Sequence, residues 1–330
     1  ACNASCWFCY AQMQENDRSI ITKDHMRSFL DDCATMGVRG ISLVSDGEST
    51  LSPAYEFSLI YGSNLGINMA SGTNGIAFTE EKLERILPGL TYLRFNISAG
   101  ERKRYSEIMG VPENIYDRVT SNVKSAVEIK RRLGLPVTIG IQMVFESRDA
   151  DQLLPFARLG RDLGVDYAVI KHCSDDEYGT LKVQYSEYEK HTITLLQAEA
   201  LSSPSYKVAV KWNKIGVGNK RSYQQCYGPP FIIQISGSGL VAPCGMLFNE
   251  RYAKFHIGNI CEQRWLDIWK SDRYWEVMSY LGSNNFNAQK MCGALCLQDL
   301  SNRALDQHKK GLVDLLQVTS GENPLHMNFI

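Results

Sequence analysis

With 330 residues, 44% hydrophobic and 22% charged, the chain suits one large domain or two smaller ones and has the make-up of an ordinary folded protein. A net charge of −1 gives no electrostatic reason to expect nucleic acid or a membrane surface as partner; no apolar run approaches a bilayer's width and no secretory signal is present. Ten cysteines are too few for a disulfide-stapled scaffold, so they read as reduced and metal-directed, which implies a cytoplasmic setting.

The chain opens on Cys2-Asn-Ala-Ser-Cys6-Trp-Phe-Cys9-Tyr10, a C-x3-C-x2-C run. Three thiolates are one short of the four that close a cubane iron–sulfur site, so one iron would stay open for another ligand. Tetrahedral zinc is the alternative, but it needs a fourth ligand and the nearest histidine is His25. Behind this run, strand-like and helical patterns alternate up to about residue 200. Strands are predicted at Gly40–Ser45, Ile67–Ser71, Tyr92–Ser98, Val137–Phe145 and Tyr167–His172. Helices are predicted at His25–Met36, Glu80–Leu87, Ile115–Leu133 and Ala150–Leu163, and a long one at Ser186–Leu201. This is the rhythm of βα units around a parallel sheet, and it fits an open doubly wound sheet as well as a barrel. Ser202-Ser203-Pro204-Ser205 breaks the pattern, and the texture then changes to short strands, Gly/Pro turns and clustered cysteines. A domain boundary is expected near residue 215, giving domains 1–215 and 216–330.

A second set of cysteines follows: Cys226, Cys244, Cys292 and Cys296, spaced C-x17-C-x47-C-x3-C. Four thiolates would saturate one cubane, or equally a structural zinc. Cys33 lies in an apolar helical stretch and reads as core packing. Cys173 follows a predicted strand, and Cys261 follows the Gly258-Asn259-Ile260 run.

The opening run, with Phe8 before the third cysteine and Tyr10 after it, resembles the signature of the radical S-adenosylmethionine (radical SAM) enzymes. The resemblance implies a partial (β/α)6 barrel, a 4Fe–4S cluster on Cys2, Cys6 and Cys9, and S-adenosylmethionine bound at the open iron. It also implies a strand upstream of Ala1 as the sixth of the barrel, and a reductant such as flavodoxin or ferredoxin. Ser45-Asp46-Gly47-Glu48 is similar to the family's Gly-Gly-Glu motif, with Asp46 in place of the first glycine. That likeness assigns Gly47 and Glu48 to the amino group of S-adenosylmethionine. Asn96 and Ser98, two residues apart and so on one side of a strand, align with the family's polar residues for ribose or carboxylate. Phe8 would lie against adenine, and Gln142 is a further candidate.

Cys226 to Cys296, with Trp265-Leu-Asp-Ile-Trp269 between them, resembles the family's C-terminal auxiliary-cluster region in its shorter twitch form. The spacing is similar to that of 2-deoxy-scyllo-inosamine dehydrogenase, an aminocyclitol-oxidising member. The resemblance therefore implies α/β architecture with a small cysteine-rich α+β domain, two 4Fe–4S clusters, and oxidation of a small sugar-like molecule. Lys171, His172, Asp175 and Asp176 follow the last predicted strand, where barrel enzymes place their chemistry, with His172 as a candidate base. Asn68, Ser71, Thr73 and Asn74 are candidates for reading substrate hydroxyls or amides. Peptide modification, a redox-neutral epimerase drawing hydrogen from Cys173 or Cys261, and a non-catalytic iron–sulfur or zinc scaffold stand as alternatives.

Overall fold

The computed structural model describes residues 1–15, 19–44, 46–216, 220–315 and 326–329. Ser45, which ends one predicted strand and begins the Asp46-Gly47-Glu48 run, lies outside them. In chain order the elements are α1 (Lys23–Thr35), β1 (Gly40–Leu43), α2 (Tyr55–Asn64), β2 (Asn68–Thr73), α3 (Glu80–Ile86), β3 (Leu90–Asn96), α4 (Arg102–Met109) and α5 (Asn114–Leu133). They continue with β4 (Thr138–Phe145), α6 (Leu153–Leu163), β5 (Tyr167–His172), α7 (Thr192–Glu199), β6 (Lys207–Val210) and α8 (Trp212–Ile215). Then come β7 (Gln234–Ile235), β8 (Leu240–Ala242), β9 (Gly258–Asn259), α9 (Trp265–Lys270), α10 (Asp272–Leu281), α11 (Ala288–Met291) and α12 (Asp299–Lys309).

Two compact units emerge. The first comprises Ala1–Cys9, Val38–Cys173 and Val183–Gly218; the second comprises Tyr10–Gly37, Ser174–Lys182 and Asn219–Ile330. Residues 10–37 and 174–182 thus belong with the second unit although they precede residue 215. For α1 the cause is a long-range ion pair. Asp32, buried on α1, accepts from the Arg264 guanidinium and from the Leu266 N–H at the start of α9. Phe29 packs edge-on against Trp265 beside it. The start of α1 is a capping box: the Thr22 hydroxyl accepts from the His25 N–H, and His25 Nδ1 accepts from the Thr22 N–H. His25 is therefore committed to its own helix.

The first unit is a six-stranded parallel sheet in the order β1-β2-β3-β4-β5-β6, a partial (β/α)6 barrel. Its sixth strand within the chain is β6, which the sequence reading did not anticipate; the predicted helix at Ser186–Leu201 resolves into a 3₁₀ stretch at Tyr185–His191 followed by α7. Because side chains alternate along a strand, the sheet has two distinct faces. One carries Leu93, Phe95, Ile139, Ile141, Met143, Phe145, Ala168 and Ile170, all fully buried. This face meets the helices: the Tyr55 hydroxyl on α2 donates to Ser71 Oγ at 2.8 Å, and the Tyr206 hydroxyl reaches the Ala157 carbonyl on α6 at 2.6 Å. The other face carries Ser42, Tyr92, Arg94, Asn96, Gln142, Tyr167 and Lys171, as the strand registers fix.

The second unit holds a three-stranded antiparallel sheet, β7-β8-β9, with α9, α10 and α12. Among the described residues no helix is long and apolar enough to cross a membrane.

Gly140 sits opposite Tyr167 in the β4–β5 register, and a Cβ there would fall 2.2 Å from the Tyr167 ring. Gly140→Ala is therefore expected to cost about 1–3 kcal/mol through overpacking, read as a lower urea-unfolding midpoint. An unchanged midpoint would mean the ring can swing aside.

Candidate functional site

The cysteine loop at the head of the chain lacks regular structure and is held by backbone bonds. The Ser5 N–H donates to the Met109 carbonyl at 3.1 Å and the Trp7 N–H to the Ile108 carbonyl at 3.4 Å. Those carbonyls belong to the last turn of α4, where helical partners run out. Gly110, left-handed at φ 62°, ends that helix; a Cβ there would lie 2.4 Å from the Ser5 carbonyl oxygen. Further back, the Glu48 N–H donates to the Ala1 carbonyl at 2.9 Å, and a Cβ on Gly47 would meet the same oxygen at 2.4 Å. Glycine at 47 is thus required by how closely Ala1 approaches. Inside the loop the Cys9 N–H bonds the Cys6 carbonyl at 3.1 Å, a turn that folds the loop back between the two cysteines.

The electrostatics bear this out. Burial, then the charges of Cys9 and Cys2, push the Cys6 thiol up to about 12. Such a set of crowded sulfurs asks for a positive centre, and the donor chemistry, three thiols and no nitrogen, fits an iron–sulfur cluster. Asn74 Nδ2 lies 3.9 Å from Cys2 Sγ and bonds Asn3 Oδ1 at 2.7 Å. Trp7 is covered by the Arg148 guanidinium, 3.2 Å above its ring, and meets Phe8 edge-on. Cys173 Sγ stands 4.0 Å from the Phe8 carbonyl.

The Glu48 carboxylate is buried and fully engaged. Oε1 accepts from the Thr50 N–H (3.1 Å), the Thr50 hydroxyl (2.7 Å) and the Thr73 hydroxyl (2.8 Å); Oε2 accepts from the Asn74 N–H (2.7 Å). It pins the loop after β1 to the end of β2.

On the polar face, Gln142 Nε2 donates to Asn96 Oδ1 at 3.0 Å across the β3–β4 register. Ser98 is buried and its hydroxyl accepts from the Val144 N–H at 3.2 Å, which closes the β3–β4 edge. Lys171, between Gln142 and the end of β5, shares this face by register. Its neighbour His172 does not. It points to the helical side, where its ring meets Tyr185 and Tyr188, so His172 and Lys171 lie on opposite faces of the sheet. Ser71 likewise faces the helices, bonded to Tyr55, and Asn68 lies at the start of β2, away from the strand ends that barrels use. Asp175 and Asp176 cap a turn in the second unit: Asp175 accepts from the Leu181 N–H, and Asp176 from Thr180 and Arg251. Arg94, Tyr92 and Tyr167 were absent from the sequence-based candidates, although stepping back by two from Asn96 gives Arg94 and Tyr92.

In the second unit, Cys226, Cys244, Cys292 and Cys296 form one electrostatic group. Burial, opposed by an Asn302 hydrogen bond, together with Cys296 pushes the Cys226 thiol up to about 11. Burial, then Cys296 and Cys226, push Cys244 up to about 12, and Cys292 rises through burial and then all three others. Two buried side chains, Asn302 of α12 and its N-cap Gln298, tie their loops together. Asn302 Nδ2 donates to Cys226 Sγ at 3.3 Å while its Oδ1 accepts from the Tyr227 and Gly228 N–H groups. Gln298 Nε2 donates to the Ile232 and Pro243 carbonyls. The Tyr223 hydroxyl is 3.6 Å from Cys296 Sγ. Four thiols with hydrogen-bond donors around them fit a fully protein-ligated cluster. Among the described residues no three His, Cys, Asp or Glu side chains close on a site for a single metal ion. Cys261 stands apart from the four: its thiol donates to the Ser238 carbonyl at 3.6 Å. Cys33 is buried in α1.

Comparison with known proteins agrees with both groups. A family model described as the radical SAM superfamily matches residues 1–154, and one described as an iron–sulfur cluster-binding (SPASM) domain matches residues 226–296. The AdoMet-dependent heme synthase of Methanosarcina barkeri is 23% identical over 291 residues, covering 82% of this chain and 79% of that protein. A probable GTP 3′,8-cyclase of Saccharolobus islandicus is 27% identical over 167 residues, so the match spans about half of each (50% of this chain, 51% of the cyclase). Among solved structures, Streptococcus suis SuiB bound to S-adenosylmethionine superposes with a TM-score of 0.65 at 18% identity, over 91% of this chain and 71% of SuiB. The anSMEcpe structure with bound AdoMet gives 0.61 at 14% identity, over 94% and 93%. These likenesses show the fold.

Glu48→Ala would leave four buried donors without an acceptor, and the expected loss is about 3 kcal/mol or more of stability. Glu48→Gln, which keeps an acceptor oxygen, should lose less; equal urea midpoints for the two variants would refute the anchoring role.

Proposed function

We propose, on the premise that this chain is a radical SAM enzyme with a C-terminal SPASM-type iron–sulfur domain, that it takes a hydrogen atom from a small polar substrate and completes a net oxidation. Cys2, Cys6 and Cys9 would hold the SAM-binding 4Fe–4S cluster; Cys226, Cys244, Cys292 and Cys296 would hold the auxiliary one. When bound, the first cluster and S-adenosylmethionine supply a 5′-deoxyadenosyl radical, chemistry that no side chain provides.

This chain's own residues position and shield. Gly47 lets Ala1 close on the loop and would bring the 46–48 turn beside the methionine end of S-adenosylmethionine. The Glu48 carboxylate, spent on four internal donors, works as the anchor of that turn. Phe8 would supply an apolar surface for adenine. Asn96 and Gln142, already bonded to each other, would present their remaining polar atoms to ribose or substrate, with Ser98 fixing the strand edge beneath them. Oxidation removes a second electron and a proton after hydrogen abstraction, and the four-thiol group would house the acceptor. The reading is carried by one observation: the C-x3-C-x2-C loop is braced to the sheet and to the end of α4, with the Cys6 thiol raised by burial and then by Cys9 and Cys2. A reductant such as flavodoxin or ferredoxin would supply the first electron.

A peptide substrate is the second reading. The fold likeness to SuiB, whose structure bound to the precursor peptide SuiA superposes with a TM-score of 0.63, favours it. An epimerase would need a thiol donor, and Cys173 beside the Phe8 carbonyl is the better placed of the two candidates, since Cys261 bonds within its own hairpin.

Anaerobic reconstitution is expected to give about eight irons per chain, and Cys226→Ala or Cys292→Ala about four. Those variants should still form 5′-deoxyadenosine from S-adenosylmethionine under dithionite, whereas Cys6→Ala should form none. 5′-Deoxyadenosine from Cys6→Ala, or zinc in place of iron at the second group, would refute the assignment.

A further inference from the structure

The polar face of the barrel sheet is also a charged one, and its charges have a single sign. The registers place on it Ser42 of β1, Ala70 and Gly72 of β2, Tyr92, Arg94 and Asn96 of β3, Gly140, Gln142 and Val144 of β4, Tyr167, Val169 and Lys171 of β5, and Lys207 and Ala209 of β6. The Lys211 N–H continues the ladder to the Ile170 carbonyl at 2.9 Å, which puts Lys211 beside Lys171. Among these strand positions there are cations and no carboxylate.

Arg94 is half-buried, and its Nε is fully buried without a hydrogen-bond partner. Its guanidinium extends over Gly72: a Cβ at that glycine would lie 3.1 Å from Nη2. Lys171 is half-buried, and the protein around it strips its amine of hydration. Burial first, then Arg94, Lys214 and Lys211, push the amine down to about 7. Holding the Arg94 guanidinium and the Lys171 amine away from bulk water on a face whose strand positions carry no carboxylate is costly, and an anion placed between them would offset that cost.

We propose that this face binds an anionic group of the substrate, a carboxylate or a phosphate, with Arg94 and Lys171 as its ligands. Arg94 offers the planar fork that matches such a group, and Lys171 a point charge. This deepens the function proposed above and rests on it for the placing of substrate on the polar face. The carboxylate of S-adenosylmethionine has the same chemistry and is the competing source.

The test uses the full, anaerobically reconstituted chain, with inorganic phosphate and succinate as probes in isothermal titration calorimetry. Wild type is expected to bind at least one of them at constant ionic strength. Lys171→Met should weaken that binding by about tenfold or more, the worth of one charge-assisted hydrogen bond, and Lys171→Arg should restore most of it. S-Adenosylmethionine affinity and substrate-free 5′-deoxyadenosine formation should be unchanged in both variants. No binding of either probe to wild type, or undiminished binding to a folded Lys171→Met, overturns the proposal. A parallel loss of S-adenosylmethionine affinity overturns it too, by giving the site to the cofactor's carboxylate. If Lys171→Met fails to fold, the wild-type titrations and Lys171→Arg decide. Iron content and 5′-deoxyadenosine yield are read separately, so failure here is distinct from failure of the radical SAM reading.

Discussion

The Glu48 carboxylate accepts four hydrogen bonds, from Thr50 twice, Thr73 and Asn74, while the Glu48 N–H holds the carbonyl of Ala1. Through this residue the irregular cysteine loop is fastened to the parallel sheet. Asn74 carries the tie onward, since its side chain reaches Asn3 and lies against Cys2. A loop with three thiols and little regular backbone has no reason of its own to hold one shape. Here it borrows rigidity from β2 at one side and from the carbonyls closing α4 at the other. A buried carboxylate is tolerated because both oxygens accept hydrogen bonds, three at Oε1 and one at Oε2, two of the donors being backbone N–H groups that would otherwise be orphaned.

The second thiol group follows a different logic. Its stiffness comes from the start of α12, where Asn302 and the N-cap Gln298 bond the 226–232 segment and the Pro243 carbonyl. Asn302 is fully buried and uses both ends of its amide, one on a thiol and one on two backbone N–H groups. Hydrogen bonds to ligating sulfurs are a recognised lever on cluster potential. The same contacts that fix the loops therefore bear on how readily the site takes an electron.

The sequence made the chemistry legible because it is local: C-x3-C-x2-C needs only nine residues, and strands such as Val137–Phe145 announce themselves by continuous β-branched and apolar runs. β6 was missed because Lys207–Val210 is four residues long and follows directly on a Ser/Pro break that resembles a domain linker. The allegiance of α1 was hidden because it rests on Asp32 meeting Arg264, 232 residues later. Which of Lys171 and His172 faces which side was not legible from residue type: alternation along β5 decides it, and the imidazole lies on the helical side among tyrosines. Thr73 and Glu48 were read as outward-facing recognition groups because sequence shows a polar residue without showing what already satisfies it.

The two faces of the sheet together define what kind of substrate the barrel suits. The helical face is a close-packed apolar layer with its few polar groups, Ser71 among them, bonded internally. The opposite face keeps amides, phenols and cations, and its Arg94 retains a buried N–H without an acceptor. A site of that kind discriminates by what it leaves unpaired: a neutral isostere of the right shape would bury the same cations and return nothing for their lost hydration, whereas an anionic group supplies both charge and acceptor atoms. Hydrogen abstraction from an unactivated carbon demands that the carbon be held still while the radical forms, and a charged handle at one end of a small molecule fixes position and orientation at once. On the proposed reading the cationic face serves positioning, and the cofactors supply the chemistry.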